Sequence, residues 1–471
     1  MPHDLEIGLV RLADIAVHQE PQLEAGRYLG STIPVANAFV IAMVSTLREA
    51  TRSRIRNTAA RYRDARRSLQ TPASRQSRYG LDWVNFFLAD IQTGFGTFVA
   101  FYLAGLGWST SEIGLALTAG TLAAVVTQIP GGALADAVTW KRGLVALGIV
   151  MLGASAMIFA LVPAFAAVFA AEVLQGTTSG IVTPVISAIS LGLVGRRAMS
   201  ARTGRNFRYA AGGHALTAAL MGLAGSYLTD RAIFFAAALL GIPVLIALAF
   251  IRPAEIDYAR ARNAPAGDSG HEVQRALTLS KDRRLIAFTA ALMLFQLADA
   301  SMLPLIGENL AGTKLMDAPL WMSGLVLVPQ IVVALVAPWV GYHSERKGRK
   351  PLLLIGFAIE PVRAVLLAFT SAYPFLALVQ FLNGINGAII SVLTVLVIAD
   401  LTAGTGRFNL AQGAVGAMSA IAASVSTLAS GFLFQAIGPL SGFLVITATA
   451  AAATAVLWIF VPETKPAKYD E

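Results

Sequence analysis

Cysteine is absent from this 471-residue chain, which excludes disulfides, thiolate-bound metals and cysteine nucleophiles and leaves the redox compartment open. Charge is scarce: 13% of residues are Asp, Glu, Lys or Arg, against 56% hydrophobic and a mean hydropathy of +0.66. So little polar surface cannot clothe a soluble globule, and the chain reads as a multi-span membrane protein. There is no Gly-x-Ser-x-Gly elbow, no His-Glu-x-x-His, no Gly-x-x-x-x-Gly-Lys-(Ser/Thr) phosphate loop and no metal-ligand cluster. An enzyme, a metal centre and an ATP-driven pump are therefore not expected, and no cofactor is implied. The start, Met1-Pro-His-Asp-Leu-Glu6, shows no basic region leading straight into an apolar run, so the first span is expected to act as insertion signal. The formal net charge of +9 does not argue for nucleic acid, because the basic residues lie in loops between apolar runs.

What the chain does contain, it contains twice. Phe86-Phe87-Leu88-Ala89-Asp90 recurs as Phe295-Gln296-Leu297-Ala298-Asp299, 209 positions on. The same offset maps Gly132-Ala-Leu-Ala-Asp136 onto Gly341-Tyr-His-Ser-Glu345, and an offset of 208 maps Glu172-Val-Leu-Gln-Gly176 onto Gln380-Phe-Leu-Asn-Gly384. The exits also match, Ile251-Arg-Pro-Ala-Glu255 with Phe460-Val-Pro-Glu-Thr464. Repeated halves in a membrane chain usually build a transporter with its substrate between them. Apolar windows long enough to cross a bilayer fall near 81–106, 112–134, 143–163, 165–194, 209–228 and 232–251, then near 285–310, 319–340, 351–371, 374–401, 410–434 and 441–460. The expected organisation is an N-terminal extension (1–78), a six-helix bundle (79–251), a polar cytoplasmic linker (252–284), a second bundle (285–461) and a cytoplasmic tail (462–471). Alternate loops differ sharply in charge. One set carries nearly all the loop Lys and Arg, whereas the other carries only Arg231 and Lys314. By the positive-inside rule both ends of the twelve-helix unit are expected to be cytoplasmic, in the cell membrane. Ser109 and Glu112 have capping-box spacing at the start of the second span.

The extension has two parts. Ser31 to Leu47 is apolar but short and contains Pro34 and Asn37, which favours an interfacial or packed segment over a thirteenth span. Residues 47–69 place apolar or neutral side chains on one helical stripe and arginines around the rest. That pattern suits an amphipathic helix on anionic inner-leaflet lipid. The alternative is a solvated leader upstream of a start at Met43.

The loop Gly341-Tyr-His-Ser-Glu345-Arg346-Lys-Gly348-Arg349-Lys350 matches a pattern of Gly, acid, Arg, Gly and paired basic residues at every defined position. On this loop, its first-half copy, the twelve spans and the central linker, the chain resembles the major facilitator superfamily from Trp83 to the last helix. The first-half copy keeps Gly132, Asp136, Lys141 and Arg142 but has Ala137 and Thr139 where the family has Arg and Gly, so its charge network is expected to be thinner. Physically, the Gly lets two helices approach, the acid suits a facing helix N-terminus, and the basic cluster holds the other side. In the family this network is thought to hold the cytoplasmic gate shut; the alternative is that Arg346 to Lys350 only fix topology.

Ionisable residues within spans are costly and therefore candidates for function. Asp90 and Asp299 fall within roughly 5 Å of the expected midplane and are the proton-coupling candidates, the alternative being packing through hydrogen bonds. Glu172, Gln175, Asn85, Gln92, Gln296, Asn383 and Asn386 are the substrate-cavity candidates. Gln92 lies about 200° around the helix from Asp90, so the two cannot face one cavity. Glu172 stands where the resembling motif normally has Arg, which adds a negative charge suited to a cationic solute; an outer, water-exposed carboxylate is the alternative. Glu360 and Arg363, one turn apart, read as a structural pair that cancels in place. His214 could titrate near neutral pH or simply pack. No proline lies between Tyr209 and Leu228, so the Gly-Pro element of the family's drug/proton antiporters is missing.

The resemblance implies an all-α, two-bundle secondary transporter; the chain is expected to move a small organic solute, coupled to protons and with export favoured, as a monomer. The alternatives are a proton-driven importer of a metabolite or siderophore-like compound, and a non-transporting sensor or lipid-handling protein.

Overall fold

A computed structural model describes residues 73–93, 96–227, 230–264, 282–302, 305, 318–369 and 373–465. The expectations for 1–72, most of the linker and the end of the tail lie outside these residues. The described chain is helical, with no strands among the described residues, as lipid requires of a backbone that must satisfy its own hydrogen bonds.

The helices are α1 (Arg75–Thr93), α2 (Gly96–Gly105), α3 (Thr110–Ala137), α4 (Lys141–Leu161), α5 (Phe165–Tyr227), α6 (Asp230–Ala249), a short α7 (Tyr258–Ala261), α8 (Arg283–Asp299), α9 (Ala318–Lys347), α10 (Arg349–Phe369), α11 (Tyr373–Leu401) and α12 (Phe408–Phe460). Two of these runs are each a pair of helices. Gly195 (φ 70°, ψ 176°) interrupts α5 and Gly438 (φ 80°, ψ 166°) interrupts α12, in a region of backbone space open chiefly to glycine. With α1 and α2 taken together, each of the twelve expected windows carries helix. Seven described helices are long and apolar enough to cross a membrane by length and composition. The capping box at the start of α3 is present, Ser109 and Glu112 each accepting the other's backbone N–H.

The expected loop over 196–208 is instead helix, the beginning of the second arm of α5. The reason is Asp82 of α1. This fully buried carboxylate accepts from Arg202 Nη2 at 2.6 Å and from Arg205 Nε at 2.9 Å. Two charges that read as loop markers are thus paired with a buried acid, Arg202 inside the bundle and Arg205 at its edge, where a helix can carry them.

Buried apolar side chains form one core within residues 73–256 and two within the second half, one of which takes in Leu191 and Met199 of α5. Large apolar side chains elsewhere point outward, among them Leu122 and Val126 of α3, Leu335 of α9 and Trp458 of α12. Such a surface is at home against acyl chains. Between the halves, α3 packs on α12 and α9 packs on α5.

Candidate functional site

The two interhalf packings bring the repeated loops to one end of the bundle, here the motif end. At the first, a Cβ on Gly132 would collide with the carbonyl of Asn409, and one on Gly413 would collide with that of Gln128. At the second, a Cβ on Gly341 would collide with the carbonyl of Ser200, and one on Gly204 would collide with that of Ala337. The 209-residue offset converts each member of the first set into a member of the second. The repeat is therefore a repeat of contacts, and small residues are what let these backbones touch.

Each crossing carries the motif acid. Asp136 Oδ1 accepts from Asn409 N at 3.2 Å and Nδ2 at 2.7 Å, and its Oδ2 accepts from Leu410 N at 2.8 Å. These amides belong to the first turn of α12, so a carboxylate of one half caps a helix of the other. Glu345 accepts from the Ser200 hydroxyl on α5 and from Arg349 Nη2 at 2.9 Å. Arg349 is only 1% exposed. Its remaining nitrogens donate to Asp400 Oδ2 at 3.1 Å and Ser344 Oγ at 2.9 Å. Glu463 closes the set, accepting from Arg349 N at 2.8 Å and Lys350 N at 3.1 Å at the start of α10. Gly348 (φ 94°) makes the turn, and a Cβ there would run into the Glu463 carboxylate.

The first-half loop is built differently. Lys141 is buried and its Nζ donates to the Ala135 and Val138 carbonyls. Trp140 stands at the repeat position of Arg349, and Gly192, by the 208-residue offset that relates Gly176 to Gly384, at that of Asp400. Arg142 lies away from the Asp136 cap, in a groove between α4 and α6. Arg346 lies over the Tyr342 ring, 4.5 Å from its centroid, and Lys350 Nζ donates to the Trp458 carbonyl at 2.7 Å.

Above the motif end lie three adjoining chambers of about 220, 290 and 220 Å³. The first is walled by α8, α11 and α12 and contains Gln296, Asp299, Asn383 and Asn386. It shares Ser391, Thr394 and Ser419 with the second, which reaches Gln128, Ser179 and Phe207 of the other half. The third shares Thr183, Phe207, Val395 and Gln412 with the second and adds Asn85 and His214. Both halves therefore line one chain of cavities of the size that takes small organic ligands. Gln412 Nε2 donates to Ser187 Oγ at 2.9 Å across the halves. The Gln128 and Gln412 carbonyl oxygens and the Thr394 hydroxyl have no hydrogen-bond partner among the described residues.

Asp299 is the last residue of α8, with its side chain 30% exposed. Arg363 Nη1 donates to Asp299 Oδ1 at 2.8 Å and to Glu360 Oε2 at 2.6 Å, and Asn386 Nδ2 also donates to Glu360. The pair expected to cancel in place thus extends to a third member on another helix. Its spacing along α10 was readable; the approach of α8 was not. Glu172 and Gln175 do not line these chambers. Glu172 is 7% exposed, and its carboxyl lies over Gly120 of α3, in space that a Cβ would fill. The side chains of Asp90 and Gln92 lie outside the described residues. Gln128, Gln412, Ser391 and Thr394 were missed by sequence reasoning, since uncharged amides and hydroxyls within apolar windows give no signal of the face they occupy.

The family model described as Major Facilitator Superfamily matches residues 83–359 and 321–471. An uncharacterised MFS-type transporter of Mycobacterium tuberculosis is 34% identical over 390 residues, covering 82% of this chain and 93% of the relative. The class B tetracycline resistance protein of Escherichia coli is 32% identical over 141 residues, 30% of this chain and 34% of its own. The crystal structure of the human organic anion transporter MFSD10 (TETRAN) superposes with a TM-score of 0.58 at 16% identity, covering 81% of this chain and 97% of that one. At that identity the likeness is one of fold.

Proposed function

The chain belongs to the Major Facilitator Superfamily, whose members are secondary transporters, and from that premise we propose that it exports a small organic solute in exchange for protons. Its two halves rock about the chambers they share. The observation that carries this reading is the placement of Asp299: it is the accessible member of a charged cluster on the wall of a second-half chamber that adjoins, through Ser391, Thr394 and Ser419, a chamber lined by both halves. Asp299, Glu360 and Arg363 comprise two acids and one base, so a proton or a cationic group of the solute makes the cluster neutral. Its repeat counterpart, Asp90, is the second candidate for proton coupling. The contacts of Asp136 and Glu345 close the cavity at the motif end, which the loop charges assign to the cytoplasm of a cell-membrane protein. The outward direction rests on the local likeness to a protein named for tetracycline resistance.

One proton crossing 100 mV supplies about 2.3 kcal/mol, enough for roughly a fortyfold solute gradient. The test uses purified protein in proteoliposomes loaded with a pH-sensitive dye and challenged with a panel of organic cations, organic anions and tetracycline. A transported solute is expected to move protons. Asp299→Asn is expected to abolish that movement while leaving solute binding detectable by thermal shift. Unchanged proton-linked flux in the variant would overturn the role given to Asp299.

A further inference from the structure

In the second half, the start of α10 holds an anion supplied by the chain itself. Glu463 accepts from the backbone N–H groups of Arg349 and Lys350, and Gly348 leaves room for its carboxylate. The 209-residue offset carries Lys350 to Lys141 and Pro462 to Pro253, but it carries Glu463 to Ala254. The first half has Ala254 at this place, and the acid one residue on, Glu255, accepts instead from Ser74 N and Oγ at 2.9 Å. The start of α4 has no side-chain cap. In its stead is a groove of about 350 Å³ lined by Trp140, Lys141, Arg142, Leu245, Pro253 and Tyr258. Arg142 Nε is buried and has no hydrogen-bond partner among the described residues.

From this we propose that the groove between α4 and α6 binds the phosphodiester headgroup of an anionic phospholipid, an external anion in the place that Glu463 fills in the other half. Arg142 and the first amides of α4 receive the phosphate, since a guanidinium and a helix N-terminus both favour an oxyanion. The groove's lining carries no acidic residue to oppose it. Trp140 is 66% exposed, and its indole is folded onto Gly143, where a Cβ would collide with the ring. An aromatic side chain held there sits at headgroup level. A lipid rather than free phosphate is the occupant because the groove continues into an outward apolar face. Leu147 and Val150 of α4 and Ile242 and Ile246 of α6 are exposed along it, giving acyl chains a track. The bound lipid would brace the start of α4 close behind Lys141, and through it the end of α3 that carries Asp136. This site is separate from the solute cavity and does not depend on what is transported.

The test is photo-crosslinking in proteoliposomes with acyl-chain photoreactive phosphatidylglycerol or phosphatidylcholine, with the labelled peptides mapped by mass spectrometry. Mapping separates the groove from any lipid bound at the basic segment 47–69. Phosphatidylglycerol is expected to label the 143–150 and 242–249 segments several-fold more than phosphatidylcholine. Arg142→Gln should reduce that labelling about tenfold, the worth of a charge-assisted hydrogen bond, whereas Arg142→Lys should retain most of it. Arg75→Gln, which removes a charge elsewhere at the same end, should leave it intact. Equal labelling by the two wild-type lipids, or an unchanged preference in Arg142→Gln, would overturn the proposal. Loss of labelling on adding millimolar inorganic phosphate would overturn the lipid assignment in favour of a free anion. Should Arg142→Gln fail to fold, the wild-type comparison of the two lipids still decides.

Discussion

Arg363 donates through one nitrogen to acids on two helices, Asp299 of α8 and Glu360 of α10, while itself only 1% exposed. Its charge is shared, so removing it strands two carboxylates in the bundle. Arg363→Met is expected to cost about 3–5 kcal/mol, read as a lower midpoint of unfolding in detergent. Arg363→Met combined with Glu360→Gln should recover part of that loss, because one stranded charge goes with it. A single variant as stable as the wild type would mean that the cluster is not charged as drawn. The same residues show where sequence reading stops. The three-residue spacing of Glu360 and Arg363 is a property of one helix and was legible. That Asp299 reaches the same guanidinium depends on how α8 packs beside α10, which no local pattern encodes. Asp82 with Arg202 and Arg205 is the parallel case in the first half: the arginines looked like loop charges because their partner lies about 120 residues away.

Helices in this chain are defined by apolar length and interrupted by glycine, which is why the windows found most elements and missed the extent of one. The arginines of 196–208 depressed the hydropathy of a segment that is nonetheless helical. The crossings were half legible. Gly132 and Gly341 stood out through the motif, but Gly204 and Gly413 could be recognised only once their neighbours, the carbonyls of Ala337 and Gln128, were known. Close backbone approach makes these crossings sensitive to single methyl groups. Gly341→Val is expected to force α9 from α5 at a cost of about 1–3 kcal/mol, shifting the balance of conformers about 5- to 150-fold toward an open motif end. A cysteine placed at Ser419, on the shared wall of the first two chambers, reads this out. It should react faster with an impermeant thiol reagent added at the motif end in the Gly341→Val background. An unchanged rate would mean that the crossing does not gate access from that side.

At the scale of the whole molecule, each half lends its motif acid to the other. Asp136 caps α12 and Glu345 meets Ser200 on α5, so two related contacts flank the same cavity and either could keep the motif end shut. The absence of cysteine from the chain makes the question directly testable, because introduced pairs have no background to compete with. Asp136→Cys with Asn409→Cys, and separately Glu345→Cys with Ser200→Cys, put thiols on residues whose side chains touch. Oxidation, or a short bifunctional thiol reagent where the geometry is too open for a disulfide, should join the halves in each variant. If the bundles rock as rigid bodies, one covalent link at either crossing is enough to stop solute flux, and reduction restores it. Arrest by either pair alone means that the two crossings open together. Arrest by only one means that they open in sequence, with the other free to part independently. Undiminished flux with both pairs fully joined would overturn alternating access through this end, and with it the gate function of the repeated loop.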